Sequence, residues 1–230
     1  YSIKDTVRQT IGDLKIIYSD SIKRNASDVC IVLDSLEYYT LPEVQEILTS
    51  AETYSLFLPL RNDKADYQSA IMEANEDYLV EFLIGDENEV IADFKTDMKE
   101  SFWKSKVKSA AMNYPKAAGV ILKSNPGLSE FEDKVKDEFL KNNMKVYKDT
   151  VFTQFRGGEQ IVNTLFESIS TNASKEKRNL IYSVNLNLQD FKEFERKVYQ
   201  LKKLGYRFYK FSDIMKKIET EKNKLKTDTK

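Results

Sequence analysis

The 230-residue chain carries 36 Lys and Arg against 37 Asp and Glu, and its net charge of −1 leaves no electrostatic footprint for nucleic acid. With 41% hydrophobic and 12% aromatic residues it can build a real core, and its length suits one large domain or two small ones, α/β barrels commonly using such a length as one. It contains no histidine, which excludes a Ser-His-Asp or Cys-His triad, a histidine-based zinc site and a histidine general base.

Ile3, Val7, Ile11, Leu14, Ile17, Tyr18 and Ile22 recur at three- and four-residue intervals, which predicts an amphipathic helix over residues 1–27. Its apolar stripe would either pack on the domain or engage a partner. After Ser27-Asp28 the pattern changes. Short runs rich in β-branched and aromatic residues, at 29–33, 54–58, 78–84, 117–122, 145–153, 180–184 and 206–210, read as buried parallel strands. Between them, helical periodicity covers 41–50, 64–75, 93–112, 129–142, 159–171, 188–204 and 212–226.

Local signals mark several ends. Ser129-Glu130-Phe131-Glu132 has the spacing of a capping box, Ser212-Asp213 opens another helix, and Gly205 follows Lys202-Lys203-Leu204 as a glycine C-cap would. Cys30, the only cysteine, lies inside the apolar run Val29–Leu33 and reads as a small buried residue; no intramolecular disulfide can form. No apolar run reaches the ~20 residues of a membrane-spanning helix. The chain begins at Tyr1, which is compatible with a leader or anchor upstream.

Strands alternating with helices predict βα units, in an open doubly wound sheet or a barrel. The residues after the first run are Asp34-Ser35-Leu36-Glu37 rather than a glycine-rich phosphate loop, which weighs against nucleotide-binding folds. Gly157-Gly158 is a loop signal on its own terms, and residues 219–230 read as a charged tail.

Five segments carry a family resemblance. Asp28-Val29-Cys30-Ile31-Val32-Leu33-Asp34-Ser35-Leu36 is similar to a first strand ending in Asp-Asp-Leu, and Tyr54-Ser55-Leu56-Phe57-Leu58-Pro59 to a second ending in Leu-Pro. Asp77-Tyr78-Leu79-Val80-Glu81-Phe82-Leu83 resembles a Glu-Val-Leu-Leu-His-Leu-Pro strand. Tyr114-Pro115-Lys116-Ala117-Ala118-Gly119-Val120 resembles a Pro-x-Ala-x-Gly-Val lead into an Asn-His-Met-Gly-Ser loop. Gly205-Tyr206-Arg207-Phe208 and Phe211-Ser212-Asp213-Ile214 complete the order. In this order and spacing, residues 28–218 resemble the divergent polysaccharide deacetylases of the NodB-like superfamily. The resemblance implies a distorted seven-stranded (β/α) barrel, preceded here by the helix at 1–27, and an extracytoplasmic place in the cell envelope.

The departures from that family fall on its metal site. Its second aspartate is Ser35 here, its strand histidine Glu81, its loop histidine Lys123 and its late histidine Asn185; Asp34 alone keeps its type. The family's chemistry needs a divalent metal to polarise the acetyl carbonyl, and a lysine places positive charge where the cation should bind. No metal, no cofactor and no metal-dependent deacetylation are expected.

In a barrel the ligand site lies at the carboxyl ends of the strands, where Asp34, Glu81, Lys123, Asp149, Arg156 and Asn185 are expected. Two readings stay open. These residues form a cleft that hydrogen-bonds a glycan or receives an envelope protein, or Lys123 and Arg156 neutralise Asp34 or Glu81 in a closed mouth. A third possibility is a metal-independent glycoside hydrolase with Asp34 and Glu81 as its carboxyl pair. Tyr38-Tyr39, just after the first strand, are placed for sugar stacking or for lid packing, and Trp103, the only tryptophan, for a platform or for core packing.

Overall fold

The computed structural model describes residues 2–4, 10–13, 27–60, 62–74, 76–156, 158, 160–174 and 179–227. Two short strands come first, β1 (Ser2–Lys4) and β2 (Thr10–Asp13), paired antiparallel with Ile3 opposite Gly12. The helix expected over 1–27 is therefore corrected at these positions, and its remaining residues lie outside the described ones. Thr10, Ile11 and Gly12 give the reason: two β-branched residues and a glycine are poor helix formers, so apolar spacing alone did not decide.

The main sheet contains β3 (Asp28–Leu33), β4 (Ser55–Phe57), β5 (Tyr78–Gly85), β6 (Phe94–Lys95), β7 (Gly119–Ser124), β8 (Val146–Lys148), β9 (Thr153–Arg156), β10 (Asn179–Asn185) and β11 (Arg207–Phe208). The intervening helices are α1 (Leu41–Leu48), α2 (Ala65–Glu73), α3 (Glu100–Asn113), α4 (Ser129–Lys141), α5 (Ile161–Ser174), α6 (Leu188–Lys203) and α7 (Phe211–Thr227). Seven parallel strands pair in the order β8-β7-β5-β4-β3-β10-β9. That is the cyclic order of a barrel, cut once between β8 and β9. A doubly wound sheet would reverse direction at its first strand; here β3 joins β4 on one side and β10 on the other. The fold is an open (β/α) barrel.

Two expected strands changed. The run 145–153 is broken by a 3-10 turn at Asp149–Val151, which leaves β8 and β9 on either side of the seam. The run 206–210 shrinks to β11, which pairs only with the start of β3, Arg207 beside Asp28. The helix expected from 93 begins at Glu100 instead. Asp93 explains this: its N–H donates to the Leu83 carbonyl at 2.8 Å and its carboxylate accepts the Leu83 N–H at 2.9 Å. This clamp lays Phe94–Lys95 along β5 and delays the helix. Gly85 permits the fold-back, because a Cβ there would stand 2.7 Å from the Ala92 Cβ.

Side-chain alternation divides the core into two layers. Val29, Ile31 and Leu33 face outward to the helices with Val80, Phe82, Val120 and Tyr182. Cys30, Val32, Phe57, Leu79, Ile121 and Ile181 face inward and are joined by Phe211, Ile214 and Met215 of α7. The α7 start thus fills the barrel at the end where the strands begin, with Phe211 edge-on to Tyr147 at 5.1 Å and stacked on Phe152 at 5.6 Å. Its first N–H groups are satisfied from the sheet: Phe211 donates to Ser55 Oγ at 2.8 Å and Ser212 to Asp77 Oδ2 at 3.1 Å. The helix continues to Thr227, through the boundary expected at 218/219, with Glu219 paired to Lys145 at 3.1 Å.

Of two expected caps, that at Gly205 forms and that at Ser129 does not. Gly205 takes φ 100° and ends α6 in a Schellman motif, with Tyr206 N–H bonded to the Leu201 carbonyl at 3.1 Å and Gly205 N–H to Lys202 at 3.0 Å. Ser129 is inside α4 rather than its N-cap, and Glu132 is buried, accepting from Ser124 Oγ and pairing with Lys148 at 3.4 Å. Its carboxylate serves the sheet, so it cannot reach back to the helix start. A capping box forms instead at α1, where Glu43 accepts the Thr40 N–H at 2.7 Å and the Thr40 hydroxyl at 2.8 Å.

Candidate functional site

At the carboxyl ends of the strands the inward-facing positions turn polar. Leu79 is followed inward by Glu81 on β5, Ile121 by Lys123 on β7, and Ile181 by Ser183 and Asn185 on β10. On β9, Phe155 packs outward against Tyr182, which turns Gln154 and Arg156 inward. Asp34 extends the β3 ladder by one bond, its N–H reaching the Val184 carbonyl at 2.9 Å. Elementary strand parity thus brings Asp34, Glu81, Lys123, Arg156 and Asn185 to one mouth.

Lys123 Nζ lies 2.7 Å from Glu81 Oε2, with the two side chains 26% and 34% exposed. Burial raises the Glu81 carboxyl above its ordinary range; Lys123 opposes the shift, Asp34 adds to it and Arg156 opposes it from farther away. These influences place all four charges in one electrostatic neighbourhood. Asp34 is held differently. Its carboxylate accepts the Ser35 N–H at 2.6 Å and the Ser183 hydroxyl at 3.5 Å. Ser35 adopts the left-handed conformation, φ 63°, a strained state for a residue with a Cβ, of a kind that clusters where a site is held in place. Arg156 Nη2 donates to Gln154 Oε1 at 3.1 Å. No carboxylate pairs with Arg156 and no cation pairs with Asp34 among the described residues.

A cavity of about 150 Å³ opens beside Asp34 and Glu81, walled by Glu37, Phe57, Leu58, Pro59 and Leu60. Pockets that enclose a whole organic ligand are usually about 300–1,000 Å³, so this one is too small to enclose a sugar ring. Asp149 sits in the turn at the seam, and no hydrogen bond or ion pair joins its side chain to the other mouth residues among the described ones. Tyr38 is 77% exposed at the rim, whereas Tyr39 is buried and its main-chain carbonyl accepts from the Tyr67 hydroxyl at 2.9 Å. Trp103 packs edge-on against Phe131 at 5.9 Å in the outer helical layer and is 5% exposed; the two rings lie in the lining of a cavity of about 400 Å³ away from the mouth.

Ser183, Gln154 and Glu37 belong to the mouth and were not singled out from sequence. Ser183 and Gln154 were within reach, since each lies two residues before an expected site residue and shares its strand face. Glu37 lies in a 3-10 turn whose direction no periodicity reveals. No group of three or more Cys, Asp or Glu able to hold a metal occurs among the described residues. Acidic groups are present, but Lys123 stands between Glu81 and any cation.

No family model matches the sequence, and no curated protein matches it. The structure is similar to that of an uncharacterized protein from Agrobacterium tumefaciens, with a TM-score of 0.47 and 8% identity over 86% of this chain and 92% of that one. It is also similar to the crystal structure of a mutant CE4 family pseudoenzyme with restored enzymatic activity, with a TM-score of 0.45 and 13% identity over 84% of this chain and 68% of that one. No helix among the described residues is long and apolar enough to cross a membrane.

Proposed function

We propose that this chain is a polysaccharide-deacetylase-like barrel that has lost its metal chemistry and works by binding a glycan or an envelope protein at its mouth. The observation that carries the reading is the Glu81–Lys123 ion pair, 2.7 Å long, at two positions where the resembled family places histidines. An ammonium held there repels a divalent cation and occupies the carboxylate that could have bound it. The ordered segments from Asp28 to Ile214 support the family assignment, and the barrel order of the strands agrees with it. The extracytoplasmic location follows from the resemblance alone.

The test joins metal analysis of the purified protein to acetate release from acetylated glycans and to binding of the same glycans. Binding without release and without stoichiometric metal is the expected outcome. Chelator-sensitive release with one bound zinc or nickel per chain overturns the reading.

The glycoside hydrolase alternative draws on one observation, the raised Glu81 carboxyl, since a general acid needs such a shift. Against it stand Lys123 on that same carboxylate and a cavity of about 150 Å³. Hydrolysis lost in both Asp34→Asn and Glu81→Gln would establish it.

A further inference from the structure

Asp34, Asn185 and Arg156 stand at one level on three consecutive strands. The register pairs Leu33 with Val184 and Asn185 with Arg156, so the residue after Leu33 is level with both. All three side chains face the barrel interior. The row therefore reads carboxylate, amide, guanidinium, with its charged ends two strand spacings apart, about 9–10 Å between backbones.

The two end charges do not neutralise each other. Asp34 receives only the Ser35 N–H and the Ser183 hydroxyl, and Arg156 only the neutral Gln154 Oε1 as acceptor, among the described residues. Glu81, which lines the same cavity as Asp34, is paired with Lys123. Among the described residues the mouth is thus polarised, with one carboxylate and one guanidinium, each lacking an ion-pair partner, on either side of Asn185. The cavity of about 150 Å³ opens beside Asp34 and Glu81, with Glu37 in its lining and Phe57 and Leu58 as apolar walls. A water's share of the liquid is about 30 Å³, so this space admits a small cationic substituent. Arg156 is exposed and offers a planar fork suited to a carboxylate at the rim.

We propose that the mouth binds a zwitterionic ligand, its ammonium group in the cavity against Asp34 and its carboxylate on Arg156 and Asn185. Two sources share that chemistry, a saccharide bearing both a free amine and a carboxylate, and an amino acid or peptide end. The inference rests on the mouth being a binding cleft, as proposed above, and adds the charge pattern of what enters it.

Four probes separate the possibilities in titrations of the full chain by calorimetry: glucosaminuronate, glucosamine, glucuronate and ε-aminocaproate. The expected result is glucosaminuronate bound about tenfold more tightly than either singly charged sugar, since a charge-assisted hydrogen bond contributes at least that much. Asp34→Asn should erase the advantage over glucuronate, and Arg156→Gln the advantage over glucosamine. Arg156 is exposed at a strand end, so its variant keeps the test readable if Asp34→Asn disturbs the fold. Equal binding of charged and zwitterionic sugars, or no change in either variant, overturns the proposal while leaving a glycan cleft in place. ε-Aminocaproate binding as well as glucosaminuronate supports the charge pattern and removes the saccharide reading. Binding of none of the four overturns the proposal and leaves a protein partner as the occupant.

Discussion

Glu81 and Lys123 lie on adjacent strands of the barrel, with Glu81 level with Ile121, and their charged ends meet at 2.7 Å over the inner apolar layer. Each carries a charge that neither could hold alone so close to the barrel interior. Burial raises the Glu81 carboxyl and Lys123 opposes that shift, so the charge balance of the mouth depends on one lysine.

Replacing Lys123 with Met leaves the Glu81 carboxylate without its cation and should destabilise the fold by about 1–2 kcal/mol at neutral pH. A fully buried pair would cost more, but the pair is about one third exposed, so solvent screens the loss. The pH dependence has a definite sign. The Glu81 carboxyl is already raised by burial, and without Lys123 it rises further, so the folded variant binds a proton that the unfolded chain releases. The penalty is therefore absent below the ordinary glutamate range and grows as pH rises through the raised value. Urea unfolding at both ends of that window checks it, and a penalty independent of pH would show that Lys123 acts through packing.

Asp77 couples the last helix to the barrel. Its Oδ2 accepts the Ser55 hydroxyl at 2.8 Å and the Ser212 N–H at 3.1 Å, and Ser55 in turn accepts the Phe211 N–H. Asp77→Ala removes a helix cap and leaves the buried Ser55 hydroxyl without its acceptor, which should cost about 1–3 kcal/mol. Phe211→Ala empties part of the inner layer and should cost about 3–5 kcal/mol. Chemical denaturation of both variants gives the comparison, and a Phe211 effect below that of Asp77 would show that α7 docks mainly through its cap.

These couplings explain what could be read from sequence. Val29–Leu33 and Tyr78–Ile84 announced themselves because strands buried on both faces are continuously apolar. The carboxyl ends of the strands were expected to carry Glu81 and Lys123, and the register of β5 with β7 brings the two together. The break at Asp149 was hidden, since Val146, Tyr147, Val151 and Phe152 around it still read as one strand. Glu132 misled for a different reason. Its spacing from Ser129 fits a cap, but the Ser124 hydroxyl and Lys148 reach it from the strands on either side of α4, and helical spacing cannot weigh such partners. The amino-terminal segment failed on the same ground, because Ile3 satisfies helical spacing and still stands opposite Gly12 in a pair of antiparallel strands.

Removal of residues 1–26 should leave the barrel folded. β1 and β2 form their own two-stranded sheet, separate from the sheet that begins at Asp28. Circular dichroism and a single cooperative unfolding transition check this, and loss of cooperativity would make the hairpin part of the core.

Asp28 gives the sharpest asymmetry. Its side chain is 4% exposed and binds Arg207 Nε at 2.8 Å and the Lys217 ammonium, whose side chains are 67% and 31% exposed. Removing the acid frees two cations that water reaches; removing both cations strands a carboxylate that water does not reach. Asp28→Asn should therefore cost about 1 kcal/mol, and the double variant Arg207→Ala with Lys217→Ala about 3 kcal/mol or more at neutral pH. Denaturation curves of the two variants at neutral pH decide the matter. Equal costs for the two changes would mean that Asp28 is held by its backbone and not by its cations.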